Sequence, residues 1–487
     1  MSGRVTGTMS DADALLWTIG RDPFLRPTVV AVMALDRAPR FGDLQARHLA
    51  LTGVVPRLRS RVVERPLGLG SPRFIEDGSF NLDLHLRRIV IPPPATFRSV
   101  LDLAQVMATT GFDPQLPLWE AAVVEGLEDG RAAYVVKLHH ALVDGVGGIA
   151  VLLHLLDRHR RPARGGSGPR GPSALSGAAR HVPEEPSDAD GRARGPTWRF
   201  ADLATRAGSD VSPDPSAPRR LLDFLDDMAR TALHPSRPVE LGVSTIGSAA
   251  RLLAPARRPV SPLMVGRSMS RRFEVLDPPW RELKQAATAT GGTVNDVFVA
   301  GIVTGLRRYH EIHGVSIDSL RVLMPVSVRS GSDAITGNRF VPARFVVAAS
   351  PDPRECVRQV QRVAGAWKQA PGLAISDALA AGLNLLPSPL VSALWGSMLK
   401  GDDFCVTNVP GPPFETYLSG SCVERVYAFA PPSGAALNVS LVTPASRACV
   451  GVNVDTQAVP DSAKLAACLD EGIEEVLVLG RGPRQEA

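Results

Sequence analysis

Lys137-Leu138-His139-His140-Ala141-Leu142-Val143-Asp144-Gly145 puts two imidazoles, a carboxylate and a glycine within one short stretch. An imidazole titrates near neutrality, so His140 is suited to take a proton from an attacking hydroxyl, which is the task of a general base. Asp144 would order the turn that follows, and Gly145 would let it bend. A buried histidine pair closing a hairpin beside a helix start would carry the same residues, so the surroundings have to decide between the two readings.

Those surroundings form a strand-to-helix junction. Residues 119–127 read as extended, Glu128-Asp129-Gly130-Arg131 as a turn with Asp-Gly at its centre, and 132–139 as the returning strand. Beyond Gly147-Gly148 the apolar run 149–156 has helical spacing. Loops at such junctions expose chemistry on rigid supports. Upstream, 11–19, 41–53 and 98–110 read as helices and 28–35 as a strand. Downstream, strands are expected at 267–275, 320–328, 340–348, 404–408, 425–429, 437–442 and 448–455, with helices at 279–290, 293–313 and 461–479. The start of the second of these helices is well marked, because Thr293 and Asp296 have capping-box spacing ahead of Val297, Phe298 and Ile302.

The chain's 487 residues exceed what one hydrophobic core usually supports, which predicts two large domains. At 44% hydrophobic and 21% charged, the composition is globular. The net charge of +5 comes from arginines spread along the chain, and no aromatic-basic alternation accompanies them. That gives no support to a nucleic-acid partner and leaves open a weak attraction to an anionic membrane surface or a phosphorylated cofactor. Gly, Pro, Ser, Arg and Asp replace periodic hydrophobics over 160–217, a flexible crossover between a shorter first part and a longer second one. Five cysteines without metal-type spacing imply a reducing interior and no metal site, and the N-terminus lacks a secretory core. The apolar run 379–398 is interrupted by Asn384, Pro387 and Pro389, so it falls short of a spanning helix. Two buried helices broken at the prolines, or a segment lying on a membrane, would account for it.

Several segments, taken together and in order, resemble the bacterial wax ester synthase/diacylglycerol acyltransferase family. They are Met9-Ser10-x-x-Asp13, Phe80-Asn81-Leu82-Asp83-Leu84-His85, Pro117-Leu118-Trp119-Glu120, the His139-His140 motif, Asn295-Asp296, Pro325-Val326-Ser327-Val328-Arg329, Gly337-Asn338 and Asn408-Val409-Pro410-Gly411-Pro412. The His-His-x-x-x-Asp-Gly element alone would indicate only the wider superfamily of chloramphenicol acetyltransferase, carnitine acyltransferases and peptide condensation domains. The resemblance implies an α/β protein of two chloramphenicol-acetyltransferase-like domains, each a mixed sheet with flanking helices, and an active-site channel between them. The expected boundaries are 1–159 for the N-terminal domain with the motif, 160–217 for the linker, 218–261 for a helical connection and 262–487 for the C-terminal domain.

By the same likeness His140 is the base that deprotonates an alcohol for direct attack on an acyl-coenzyme A thioester, with no acyl-enzyme, and His139 supports the loop. Asp144 holds the loop by pairing with an arginine, for which Arg329 is the hypothesised partner. Asn295, near a helix start, is a candidate donor to the developing oxyanion. Asp296 is already explained as a cap. Pro117-Leu118-Trp119 would shape the channel or a strand entry, and Asn408-Val409-Pro410-Gly411-Pro412 a rigid turn in which Gly411 takes an unusual dihedral. The remaining histidines, His85, His154, His159, His310 and His313 among them, are explained by packing or solvent.

No bound cofactor is implied, acyl-coenzyme A being a co-substrate and diacylglycerol or a long-chain alcohol the acceptor. The expected location is cytoplasmic, with peripheral contact to the inner membrane face or lipid droplets. A condensation-type acyltransferase fed by a carrier protein, or a non-catalytic lipid-binding relative, would also fit the fold. One departure bears on substrate scope: where many relatives have a Ser-Tyr-x-Gly-like strand segment, this chain has Leu441-Val442-Thr443-Pro444-Ala445-Ser446.

Overall fold

The structure, a computed structural model, describes residues 4–64, 71–160, 258–327, 338, 340–368, 384, 391–392, 396 and 399–481. The linker 161–217 and nearly all of the connection expected at 218–261 lie outside these, as does most of 379–398. In chain order the strands are β1 (Val5–Thr8), β2 (Thr28–Leu35), β3 (Ser60–Val63), β4 (Arg73–Glu76), β5 (Leu86–Val90), β6 (Trp119–Glu125), β7 (Ala132–His139), β8 (Leu156–Asp157), β9 (Arg271–Leu276), β10 (Ser319–Ser327), β11 (Phe340–Ala348), β12 (Phe404–Val409), β13 (Tyr417–Leu418), β14 (Ser421–Phe429), β15 (Leu437–Val442) and β16 (Cys449–Asp455). The helices are α1 (Asp11–Ile19), α2 (Phe41–Val54), α3 (Phe97–Thr109), α4 (Gly145–Leu153), α5 (Trp280–Ala289), α6 (Val294–Ile312), α7 (Pro353–Lys368) and α8 (Ser462–Leu477).

The strands form two large mixed sheets. One has seven strands in the order β5-β6-β7-β2-β14-β13-β8, and the other has six in the order β11-β10-β12-β15-β16-β9. A small sheet, β1-β4-β3, stands beside the first. Although β14 belongs to the C-terminal half, it pairs antiparallel with β2, from Val423 opposite Leu35 to Phe429 opposite Val30. A cut between residues 159 and 262 therefore does not separate the two sheets, since the second half lends strands to the first.

Every residue of β7 is buried, which explains a sequence that is almost continuously apolar instead of alternating. Val135 and Ala133 pack with Val100 and Leu101 of α3 on one face. The other face carries Val136 and Leu138 toward the middle of the molecule. The β6–β7 turn holds Asp129 and Gly130 at φ of 59° and 69°, left-handed positions that an Asp-Gly pair adopts at low cost. In the second half, α6 is buried on nearly all sides between α8, α7 and the six-stranded sheet. Its capping box is complete, with the Thr293 N–H donating to Asp296 Oδ2 at 2.8 Å.

The Phe80 and Trp119 segments build an aromatic stack. His85 lies between the Phe80 ring (5.3 Å) and the Trp119 indole (4.8 Å), and His48 stacks on the far face of Trp119 at 5.8 Å. Trp119 donates to the Leu58 carbonyl at 2.8 Å, so these residues buttress the β6 edge. Among the described residues no helix is long and apolar enough to cross a membrane.

His48 is the most deeply constrained of these rings. It contacts Leu44 O through Nδ1 at 2.8 Å and Tyr134 Oη through Nε2 at 2.8 Å, and burial lowers its pKa to about 4. An unfolded histidine binds its proton near 6.5, so between 6.5 and 4 the unfolded chain holds the extra proton and stability falls as the pH falls. His48→Gln stays neutral throughout. Urea denaturation between pH 6.5 and 4.5 should show a pH slope shallower in His48→Gln than in wild type by about 1.4 kcal/mol per pH unit, the value of one proton. Equal slopes would show that His48 takes up its proton in the folded state.

Candidate functional site

Alternation along β7 sends Val136, Leu138 and, one residue past the strand, His140 to the same side. They line a cavity of about 210 Å³ together with Val29 and Ala31 of β2. The opposite wall comes from the second half: Cys405, Thr407 and Val409 of β12, and Asn438, Ser440 and Val442 of β15. These side chains share a face because β12 and β15 pair in parallel, with Thr407 beside Ser440. The wall is chiefly apolar, and Thr407, Ser440 and Asn438 form a polar row within it. The imidazole thus sits where the two halves meet.

The motif's side chains have separate duties. His139 is buried, and its Nδ1 accepts the Ala141 N–H at 3.1 Å, tying the loop back on itself. Burial, reinforced by the neighbouring His140, lowers its pKa to about 3, so it remains a neutral acceptor. Asp144 is the N-cap of α4, with Oδ1 accepting the Gly147 N–H at 2.8 Å. That cap starts α4 at Gly145, four residues before the apolar run from which the helix was expected, and the helix ends at Leu153, because Leu156 belongs to β8. Arg329, the expected partner of Asp144, lies outside the described residues.

Gly145 is not among the residues with positive φ, so bending is not what a glycine supplies here. A Cβ at this position would stand 2.9 Å from Val409 Cγ2, so the glycine admits the wall of the other half. Gly411 is corrected in the same way: it takes no left-handed dihedral, and a Cβ there would meet Pro444 N at 2.7 Å.

His140 is held by Asn338, which carries part of the family likeness and for which no role was expected. Its Nδ1 lies 2.7 Å from Asn338 Oδ1, and Asn338 Nδ2 donates to the His140 carbonyl at 2.7 Å. Asn338 also donates to Asp13 Oδ1 from Nδ2 (2.8 Å) and from its backbone N–H (3.0 Å). Arg57 donates to Asp13 Oδ2 at 3.0 Å and lies within 3.5 Å of the Ala141 and Leu142 carbonyls. Asn295 is placed elsewhere. Its amide contacts Met324 Sδ at 3.5 Å, and it does not line the cavity. The helix start was read correctly there, but the direction of the side chain was not.

Comparison with known proteins accounts for this arrangement. Residues 9–298 match the wax ester synthase/diacylglycerol acyltransferase catalytic domain, and residues 336–476 match the WS/DGAT C-terminal domain. The chain belongs to the wax ester synthase/diacylglycerol acyltransferase family. It is an acyltransferase of that type. A Mycobacterium tuberculosis protein bearing the name diacyglycerol O-acyltransferase, MT2557, is 33% identical over 99% of this chain and 94% of its own length. The tgs2 protein of the same species is 29% identical over 84% of each. Among solved structures, the wax ester synthase/diacylglycerol acyltransferase from Marinobacter aquaeolei VT8 superposes with a TM-score of 0.60 at 18% identity, covering 97% of this chain and 99% of that one. The first condensation domain of the calcium-dependent antibiotic synthetase gives 0.58 at 18% identity, covering 99% and 98%. These two likenesses establish the shared two-sheet, chloramphenicol-acetyltransferase-like fold.

The fit of the acyltransferase's loop against its opposite wall is testable. Gly145→Ala should destabilise the protein by about 1–3 kcal/mol, the usual cost of overpacking, and lower turnover. Val409→Ala opens the space, so the double variant should recover part of that loss in a thermal-melting cycle. Strict additivity of the two substitutions would show that the contact carries no strain.

Proposed function

We propose that the protein moves a fatty acyl group from acyl-coenzyme A to a lipid hydroxyl, that of diacylglycerol or a long-chain alcohol, with His140 as general base. The observation that carries this reading is an imidazole on the wall of a mostly apolar cavity built by both halves of the chain. His140 takes the hydroxyl proton as the oxygen attacks the thioester carbonyl. The tetrahedral intermediate expels the thiolate, the imidazolium returns the proton to sulfur, and an ester and free coenzyme A leave.

Direct attack is supported by the state of the one thiol that lines the cavity among the described residues. Burial pushes the Cys405 thiol well above the usual thiol range, and Sγ lies 3.0 Å from the Pro432 carbonyl, so it supplies no thiolate to carry an acyl group. Among the described residues no group of three or more His, Cys, Asp and Glu side chains is arranged to hold a metal.

The attack places negative charge on the carbonyl oxygen, which requires a donor in the cavity. Asn295 is turned toward Met324, so we assign that role to Thr407. Its neighbour Ser440 already directs its hydroxyl to Asn438 Oδ1 at 2.7 Å.

Purified protein given acyl-coenzyme A with diacylglycerol, and separately with hexadecanol, should form ester and release free thiol. His140→Ala should lose about 10²- to 10⁴-fold in kcat while remaining folded. Equal turnover in the variant would remove His140 from the chemistry. Ester formed only from a carrier-bound acyl thioester would replace coenzyme A as the donor. Thr407→Val keeps the shape and deletes the hydroxyl, and it should cost about 10²-fold in kcat with little change in KM. A selective rise in KM would make Thr407 a binding contact only.

A further inference from the structure

The contacts around Asn338 determine how its amide is oriented. One side faces the His140 carbonyl at 2.7 Å and the Asp13 carboxylate at 2.8 Å, and both of these groups can only accept. The NH2 group must therefore lie on that side, which leaves Oδ1 facing His140 Nδ1 at 2.7 Å. An amide oxygen can only accept as well, so Nδ1 must carry the proton. A neutral imidazole has one N–H, and its lone pair then falls on Nε2.

We infer that Asp13 and Asn338 are positioning residues that hold His140 as the Nδ1–H tautomer, so that Nε2 is the nitrogen able to accept a substrate proton. This rests on reading His140 as the base. The opposite tautomer would present an N–H to the incoming hydroxyl and could accept nothing from it at that atom. Asp13 acts through Asn338 and touches neither the imidazole nor, on this reading, the substrate. Its Oδ1 receives both Asn338 donors, and Arg57 holds Oδ2 at 3.0 Å, so the carboxylate permits only one amide orientation.

The device also joins the two halves. His140, Asp13 and Arg57 come from the first part of the chain and Asn338 from the second, 198 residues beyond His140 and 325 beyond Asp13. The second half also meets α1 where Asn384 donates to the Asp11 carbonyl at 2.9 Å and Ser392 to the Thr18 carbonyl at 3.2 Å. The base is thus set to its working tautomer only when the halves are docked.

Asn338→Leu provides the test: it is of similar bulk but has no oxygen to accept from Nδ1, so the ring is released to the Nε2–H form that a neutral histidine favours when nothing holds it. In protein labelled with 15N-histidine at about pH 8, above the ordinary histidine range, long-range 1H–15N spectra distinguish the two tautomers. His140 is assigned by the signals missing from His140→Ala. Wild type should show a protonated Nδ1 and an unprotonated Nε2. Asn338→Leu should move the proton toward Nε2 and lower kcat at least about tenfold, with KM little changed. A wild-type spectrum with the proton on Nε2 would overturn the inference whatever the variant does, including failure to fold. So would a folded Asn338→Leu protein with unchanged tautomer and kcat. Because the spectrum is read without turnover, a wrong tautomer assignment is distinguishable from a wrong base, which the activity of His140→Ala decides.

Discussion

Burying a carboxylate costs several kcal/mol unless donors replace its lost hydration. The Asp13 side chain is completely buried. Two N–H groups of Asn338 and the guanidinium of Arg57, itself mostly buried, supply that replacement, and each donor is also tied to the His140 loop. Asn338 grips the backbone and ring of His140, while Arg57 lies close to the carbonyls of the loop that follows it. Removing any member leaves a buried charge or amide without its partner, so the group behaves as one unit. The position of α1 follows from this, because Ser10 caps the helix and fixes Asp13 in its first turn.

The loop that carries the imidazoles was legible in the sequence because its logic is local. A nearly continuous apolar strand and an Asp-Gly turn before it are short-range signals, and both operate in the structure, whereas Asp144, read as ordering the turn, proves to cap a helix that starts earlier than expected. What holds His140 is not local. Asp13 and Asn338 stand 325 residues apart, and nothing within a few residues of either announces that they meet. The same reason hid the insertion of β14 beside β2, since strand pairing leaves no trace in the spacing of either strand. Helix α7 is a different case. Cys356, Val357, Val360 and Ala364 are buried at helical spacing, and Asp352 accepts the Arg354 N–H at 2.9 Å, so the signal was present but diluted by the charged residues between. For Asn295 the helix start was readable and the side-chain direction was not, because Met324 approaches from a distant strand.

The His139–Gly145 loop and the wall it faces constrain each other. Gly145 lacks a side chain because Val409 occupies the space one would take, and Val409 ends a strand that leads directly into Pro410 and Gly411. Gly411 in turn lets the chain approach Pro444 within a distance no Cβ would tolerate. Two glycines in distant segments thus serve one purpose, close approach of backbone to its neighbour, and neither needs a left-handed dihedral.

That chain of contacts continues into the turn at 443–446. Ala445 and Ser446 take φ of 47° and 60°, left-handed positions that cost a residue with a side chain of the order of 1 kcal/mol or more. The turn is held by hydrogen bonds from the Ala445 N–H to the Pro412 carbonyl at 2.6 Å and from the Arg447 N–H to the Pro444 carbonyl at 2.8 Å. The first of these fastens the turn to the Asn408–Pro412 segment, whose Val409 faces Gly145. Val442, immediately before the turn, lines the cavity itself. A change anywhere in 441–446 is therefore transmitted in two ways: directly to the cavity wall through Val442, and through Pro412 to the side chain that sets the clearance at Gly145. The cavity wall and the clearance at Gly145 thus meet at one strand end, although the imidazole lies on the other half of the fold.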